Sequence, residues 1–202
     1  MIKKGFTMVE LVVIIGLIAL IAVIVVLVLN PAKIFQEARD SQRISDLGHL
    51  NNVLSLYSIT VPGADLDGVF GGSCAVHCWI FPPAGPRLVA SSCDFRYDNK
   101  TPFSLASRAV NGTGWVPVNL TTILGGSPLP AYPIDPVNTI SSDTQTSYFY
   151  SYGCNSVSNT FELNANMESV RYKNGGVNDV ESTDGGSLND VYEVGTDPGL
   201  DL

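Results

Sequence analysis

The chain has 202 residues and a formal net charge of −8 at pH 7, with 45% hydrophobic and 15% charged residues. Because nucleic acid binding depends on clustered positive charge, this acidic composition predicts no nucleic acid partner. The chain has two histidines and no nucleophile elbow, phosphate-binding loop or zinc-protease motif, so the sequence argues against an enzyme and indicates no catalytic residues.

The first thirty residues contain a long apolar run, MIKKGFTMVELVVIIGLIALIAVIVVLVLN. From Phe6 to Leu29 the only charge is Glu10, and a helix of this length is about 36 Å long, enough to cross a bilayer core of about 30 Å. A secretory signal has a shorter apolar core, of about 7 to 15 residues. Lys3 and Lys4 precede the run, so the positive-inside rule predicts a cytoplasmic amino end and export of everything after Asn30.

Glu10 is the unusual residue of this segment. A carboxylate within hydrocarbon costs several kcal/mol and commonly marks a pairing site. No lysine or arginine lies between residues 5 and 32, so a cationic partner must come from the amino end of the chain or from another molecule. The alternative is that Glu10 lies close enough to the membrane interface for its side chain to reach water.

The residues KKG followed by FTMVE resemble the class III leader of type IV pilins and of the pseudopilins of type II secretion systems. In that family a prepilin peptidase cuts directly after the glycine, and the new amino terminus is then N-methylated. The resemblance implies that residues 1–5 are a leader, that Gly5 precedes the cut and that Phe6 becomes the methylated terminus. It also implies that the Phe6 ammonium of one subunit pairs with Glu10 of its neighbour during assembly.

The resemblance further implies a structural subunit, a pilin or pseudopilin, that requires no cofactor. Its partners would be the prepilin peptidase and methyltransferase, inner-membrane lipid, and other copies of itself or related pilins in a helical filament. An assembly platform protein and an ATPase would act on it indirectly. The chain would cross the bacterial inner membrane once before assembly and lie in a cell-surface or periplasmic filament afterwards. The alternatives are a single-pass anchored extracellular binding module and a minor pilin adhesin.

The residues after the apolar run predict a second, amphipathic helix. Asn30-Pro31 predicts a break with a new helix beginning at the proline, with Asn30 as its cap. An apolar stripe at three- and four-residue steps then extends the helix to about residue 60, through Ile44, Leu47, Leu50, Leu54 and Tyr57. We therefore predict a filament-core helix over residues 6–29 and a helix packing on the head over residues 30–60. Most charged residues on its other face are expected to be solvated, namely Glu37, Arg39, Asp40, Arg43 and Asp46.

Residues 61–202 are predicted to form an exported, β-rich globular head, because short β-favouring runs alternate there with Gly, Pro, Ser, Thr and Asn. The predicted strands are Trp115 to Leu120, Ser147 to Tyr152 and Thr160 to Ala165. The segment from Asp65 to Thr113 has no clear period and is interpreted as an insertion between helix and sheet. The expected fold is α+β and pilin-like, with a long N-terminal helix packed on a small antiparallel sheet.

The head contains all four cysteines of the chain, Cys74, Cys78, Cys93 and Cys154. An even number in an exported, loop-rich domain predicts two disulfides, and three connectivities are open. The alternative is a zinc site formed by Cys74, His77, Cys78 and Cys93, whose spacing lacks the standard paired Cys-x-x-Cys motif.

The C-terminal stretch NGGVNDVESTDGGSLNDVYEVGTDPGLDL is rich in Asp, Asn, Gly and Ser. Oxygen ligands on a glycine-rich loop suit Ca²⁺, although the spacing is not that of an EF-hand. The stretch loosely resembles the acidic calcium loop near the end of major pseudopilins. We therefore name as candidate calcium ligands Asp179, Glu181, Asp184, Asn189 and Asp190. The alternative is a solvated acidic tail.

Overall fold

The computed structural model describes residues 5–68, 72–85 and 91–202 and has an α+β architecture. Two consecutive helices, α1 (Met8–Leu29) and α2 (Pro31–Thr60), form its N-terminal part. The helices are followed by a sheet with strands β1 (His77–Ile80), β2 (Thr101–Ser104), β3 (Ser151–Asn155), β4 (Thr160–Ala165) and β5 (Tyr192–Gly195). The short helix α3 (Ser91–Phe95) and two 3-10 turns, Leu120–Thr122 and Thr144–Thr146, lie between strands. The α+β prediction is confirmed in general kind, whereas likeness to pilins stays a prediction.

The break between the two helices lies where the sequence predicts it. Asn30 has a φ of 40° in the left-handed region, and Pro31 is the first residue of α2. Asparagine tolerates this conformation better than most residues, and proline suits a first helical position because that position needs no N–H donor. Asn30 is the N-cap residue of α2, as predicted, but its side chain makes no capping hydrogen bond. α2 ends at Thr60, as predicted.

The sheet is mixed rather than antiparallel, with strand order β2-β1-β3-β4-β5. β1 and β2 pair in parallel, with His77 opposite Thr101, whereas the remaining neighbours are antiparallel. Both parallel strands come from the segment interpreted as an insertion, so that interpretation is wrong. Each strand has only four residues, which is too short to give a readable period. A parallel pair also needs a crossover connection, and α3 lies in that connection.

Two of the three predicted strands exist. β4 has the predicted bounds, and β3 begins at Ser151 rather than Ser147. The segment from Trp115 to Leu120 forms no strand, although Trp115, Val116, Val118 and Leu120 are all fully buried. Pro117 lies between them and lacks the N–H that a strand pairing would use. The segment therefore contributes its side chains to the core from a loop.

Both faces of the sheet are buried. Phe161, Leu163 and Ala165 belong to the main core, which they share with Leu47, Leu50 and Leu54 of α2. Glu162, Asn164 and Asn166 alternate with them along the chain and are buried as well. As predicted, these three residues point to the face opposite to that of Phe161, Leu163 and Ala165. A second apolar cluster on the head contains Cys78, Ile80, Cys93, Tyr97, Ile140 and Phe149.

Candidate functional site on the N-terminal helices

α1 begins with a side-chain cap that involves Glu10. Thr7 is the N-cap residue, and its Oγ1 accepts a hydrogen bond of 3.2 Å from the backbone N–H of Glu10. The pattern Thr-x-x-Glu is that of a capping box, in which the acid also suits the positive end of the helix dipole. Sequence analysis missed this signal, which lies in the letters TMVE. The observed bond uses the backbone N–H of Glu10, and the positive end of the helix dipole gives the Glu10 carboxylate a local role that needs no second molecule.

The side chains of α1 are exposed over the whole described part of its surface. Residues Met8–Val26 have a mean hydropathy of 3.3, and none of this span is buried. The exposed fraction is 85% for Met8 and 61% for Leu20. By length and composition α1 is able to cross a membrane, as an anchor or as part of a signal sequence. Within the described part of the chain, Glu10 is the one charged residue of this helix and makes no ion pair.

The predicted processing site lies directly before α1. Gly5 and Phe6 are both exposed, and neither belongs to a helix or strand. An added side chain at Gly5 would meet nothing within 4 Å. Residues 1–4 of the predicted leader, including Lys3 and Lys4, lie outside the described residues. Exposed backbone outside helices and strands is where proteolytic cleavage concentrates.

A buried network of charges joins α2 to the head. Arg43 donates to Asp135 through Nε at 2.7 Å and Nη2 at 2.9 Å, and through Nη1 to Asp40 at 2.8 Å. All three side chains are fully buried. Asp40 also accepts hydrogen bonds from the backbone N–H groups of Glu168 and Ser169. The expectation that these helix charges are solvated is therefore wrong for Asp40 and Arg43.

The network alternates positive and negative side chains, with Arg39 and Arg43 between Asp40, Asp135 and Glu168, and has one more negative charge than positive charges. Burial by itself lowers the pKa of Arg43, but the hydrogen bonds and charges of Asp135 and Asp40 outweigh burial and raise the pKa above its ordinary value. Tyr148 adds its ring face, 5.0 Å from the guanidinium carbon. Arg39 extends the network to the surface through a 2.6 Å bond to Glu168. These contacts hold α2 to two separate loops of the head.

The cysteines form two disulfides, as predicted, and the zinc alternative is wrong. Cys74 is bonded to Cys154 on β3, and Cys78 on β1 is bonded to Cys93 on α3. No cysteine of the chain is left as a ligand, and Nδ1 of His77 accepts a hydrogen bond from the Ser73 N–H at 3.1 Å. Two disulfides favour a location in an oxidising compartment, outside the cytoplasm.

The candidate calcium ligands mostly brace loops of the head. Asp179 accepts from Ser182 and from the N–H of Gly175, and the hydrogen bonds from Ser182 and Gly175 lower its pKa. Asp184 accepts from the N–H groups of Gly186 and Glu193. Asp190 accepts from the side chains of Gln145 and Asn174. The remaining candidate, Asn189, is exposed.

Glu181 is the most enclosed of the five candidates. It is 2% exposed and accepts hydrogen bonds from the N–H groups of Met167 and Asn174. Burial raises its pKa to about 7, against the opposing effect of these donors. Across residues 5–68, 72–85 and 91–202 no three Asp, Glu, His or Cys side chains lie where they could share a metal ion. The stretch is therefore a packed part of the head rather than a solvated tail, and calcium binding stays a prediction.

Comparison with known proteins adds no family to this description. No protein-family model matches the chain, and no curated protein or solved structure matches it significantly. The resemblance of the N-terminal residues to prepilins therefore stands on the sequence itself.

Proposed function

We propose that this protein is a structural subunit of a type IV pilus or type II secretion filament, cut after Gly5 and assembled through α1. The observation that carries the proposal is the position of Glu10, a single carboxylate in the first turn of an exposed and otherwise uncharged apolar helix. A neighbouring subunit would supply the Phe6 ammonium as its counter-ion. Prepilin peptidase, membrane lipid and an ATPase-driven assembly machine would be the further partners.

The mechanism would be associative rather than catalytic. In the inner membrane, the ammonium of Phe6 and the carboxylate of Glu10 are both unfavourable, and pairing them between subunits removes that cost. The attraction is stronger in a low-dielectric surrounding than in water. Once paired, the apolar helices would bundle as the filament core and leave the heads outside. The charge network of Arg43 would transmit force from this core to the head, because it ties α2 to loops of the head.

The capping role of Glu10 is the competing explanation, and substitutions separate the two. Glu10→Gln keeps the capping box, which accepts Gln in place of Glu, but removes the charge. Thr7→Ala removes the cap and keeps the charge. Filament assembly in the native host should fail for Glu10→Gln and persist for Thr7→Ala, with both variants present in the membrane at wild-type levels. Assembly of Glu10→Gln would overturn the pairing mechanism, whereas the absence of any filament of the wild-type protein would indicate a solitary anchored binding module.

Processing has its own direct test. Protein extracted from host membranes should have an intact mass and an amino-terminal sequence that begin at N-methylated Phe6. A chain that retains Met1 and Lys3 would refute prepilin processing. A chain cut after Gly5 whose Glu10→Gln variant assembles normally would keep the processing and overturn the pairing mechanism.

A further inference from the structure

Two buried glutamates lie together on the sheet face that points away from α2. Glu162 is on β4 and Glu193 is on β5, the edge strand. Asn164 pairs with Glu193 across the two strands, so Glu162 is a diagonal neighbour on the same face. Each glutamate is only 1% exposed, so two carboxyl groups are buried on one face of the sheet. Two neighbouring buried carboxylates repel each other, and a proton on one of them removes that repulsion.

The hydrogen bonds of the pair show which oxygen needs that proton. Glu162 accepts from the side-chain amide of Asn164 at 2.8 Å and from the N–H of Leu202 at 3.1 Å. Oε2 of Glu193 accepts from the N–H of Leu188 at 2.8 Å. Oε1 of Glu193 is buried and has no donor within the described residues. A proton on this atom would satisfy it and remove one of two adjacent buried charges.

The charged and titratable groups around the pair do not neutralise it. Lys100 donates to the carbonyls of Cys74 and Cys154, and Arg96 donates to carbonyls and to Asn166. Tyr97 donates to the backbone carbonyl of Glu162. Asp184 and Asp197 add negative charge near the pair. Burial raises the pKa of Glu162 to about 7 and that of Glu193 to about 8, which agrees with the geometry.

We propose that Glu162 and Glu193 share one proton, and that this proton latches the segment of residues 184–202 onto the sheet. The pair holds the segment to β4 where the N–H of Leu202 donates to Glu162, and it braces the segment internally where the N–H of Leu188 donates to Glu193. The fit is close at Gly186, where any side chain would collide with the Glu193 carboxyl. Loss of the proton leaves two neighbouring negative charges buried on the sheet, and opening of the segment relieves their repulsion.

The pH dependence follows from the difference in proton binding. In the opened segment both glutamates are exposed and titrate near the ordinary value of 4.5, whereas the closed pair keeps its proton to about pH 8. The closed state therefore binds more protons between these values, and its stability falls as the pH rises. One proton released on opening increases the opening constant by up to tenfold per pH unit, until the closed pair is itself ionised.

Hydrogen exchange of the full-length protein in detergent micelles tests the latch. Rates for the peptide of residues 192–202, corrected for intrinsic exchange, should give an opening constant that rises up to tenfold per pH unit from pH 6 to 8. Glu193→Gln and Glu162→Gln each remove one carboxyl group of the pair, and each should give a shallower profile than the wild type. The control, Glu181→Gln, changes a buried glutamate whose hydrogen-bond donors are backbone N–H groups, and it should keep the wild-type slope above pH 7, where Glu181 is itself ionised.

A second readout uses the Glu181→Gln variant, which lacks the other buried glutamate with a pKa of about 7. Its infrared spectra should contain a protonated-carboxyl band at pH 7 that disappears by pH 9. Absence of that band, or an unchanged slope in Glu193→Gln, would overturn the proposal. Protection of residues 192–202 by added calcium at pH 9 would also overturn it, since the pair would then be a cation site rather than a shared proton.

Discussion

Replacement of Asp135 by asparagine tests the buried network that joins α2 to the head. Asp135 accepts two hydrogen bonds from Arg43, and both side chains are fully buried. Asparagine has the same shape, but only one of its terminal atoms accepts hydrogen bonds, and its amide group faces the guanidinium. The charge of Arg43 would then be compensated chiefly by Asp40 at 2.8 Å, with Glu168 more distant at 3.6 Å.

The expected loss of stability is about 3 kcal/mol. Removing one partner of a buried ion pair costs about 3 to 5 kcal/mol, because the other charge remains in a low-dielectric site. Hydrogen bonds to charged groups contribute about 1.5 to 3 kcal/mol each, and two are affected here. The remaining bond to Asp40 places the loss at the lower end of this range. It is still a large share of a total stability of about 5 to 15 kcal/mol.

Urea unfolding of the full-length chain in detergent micelles measures this loss. Trp79 and Trp115 are fully buried, so their fluorescence reports the opening of the head. Arg171→Gln is the matched control, since Arg171 pairs with Glu37 at 3.1 Å on the surface, where the two side chains are 47% and 37% exposed. Such a pair contributes about 1 kcal/mol or less.

A double variant tests the physical reason. Arg43→Met combined with Asp135→Leu removes both charges and should cost less stability than the sum of its two single substitutions, because each single substitution also leaves the other charge buried without this partner. The reasoning would be refuted if Asp135→Asn cost no more than Arg171→Gln. It would also be refuted if the double variant were as unstable as the sum of its two single substitutions.

Two further predictions concern the head. Replacing both Cys74 and Cys154 by serine should destabilise the head by about 4.5 kcal/mol, whereas replacing both Cys78 and Cys93 by serine should destabilise it by about 3 kcal/mol. The first loss is larger because the first bridge spans 80 residues and the second spans 15. Urea midpoints in the reverse order would contradict the chain-entropy argument. Burial raises the pKa of Glu181 to about 7. Its contribution to stability should therefore be complete below about pH 4.5 and decline as the pH rises to 7. If the urea midpoints of Glu181→Gln changed with pH in parallel with those of the wild type over this range, this prediction would be contradicted.

The features that sequence analysis predicted well depend on neighbouring residues. The break at Asn30-Pro31 follows from the missing N–H and fixed φ of proline, and the helix to Thr60 follows from an apolar stripe of helical period. β4 matches its predicted bounds because Phe161, Leu163 and Ala165 alternate with polar residues. Each of these signals lies within a few residues of the structure that it predicts.

The missed features depend on distant partners. β1 and β2 are four residues long and gain their hydrogen bonds from strands elsewhere in the chain. Asp40 and Arg43 look like ordinary surface charges on α2, and only Asp135, 92 positions from Arg43, explains their burial. The cap formed by Thr7 is the exception, because its pattern was readable in the sequence and was overlooked.

The sequence by itself determined the apolar character of α1, the break after Leu29, the amphipathic helix and the number of cysteines, since composition and local backbone preference control these features. The tertiary structure decided which cysteines pair, which charges are buried and which acids are neighbours on one sheet face. A buried polar group is stable only where a partner replaces its lost water, and folding alone brings such partners together.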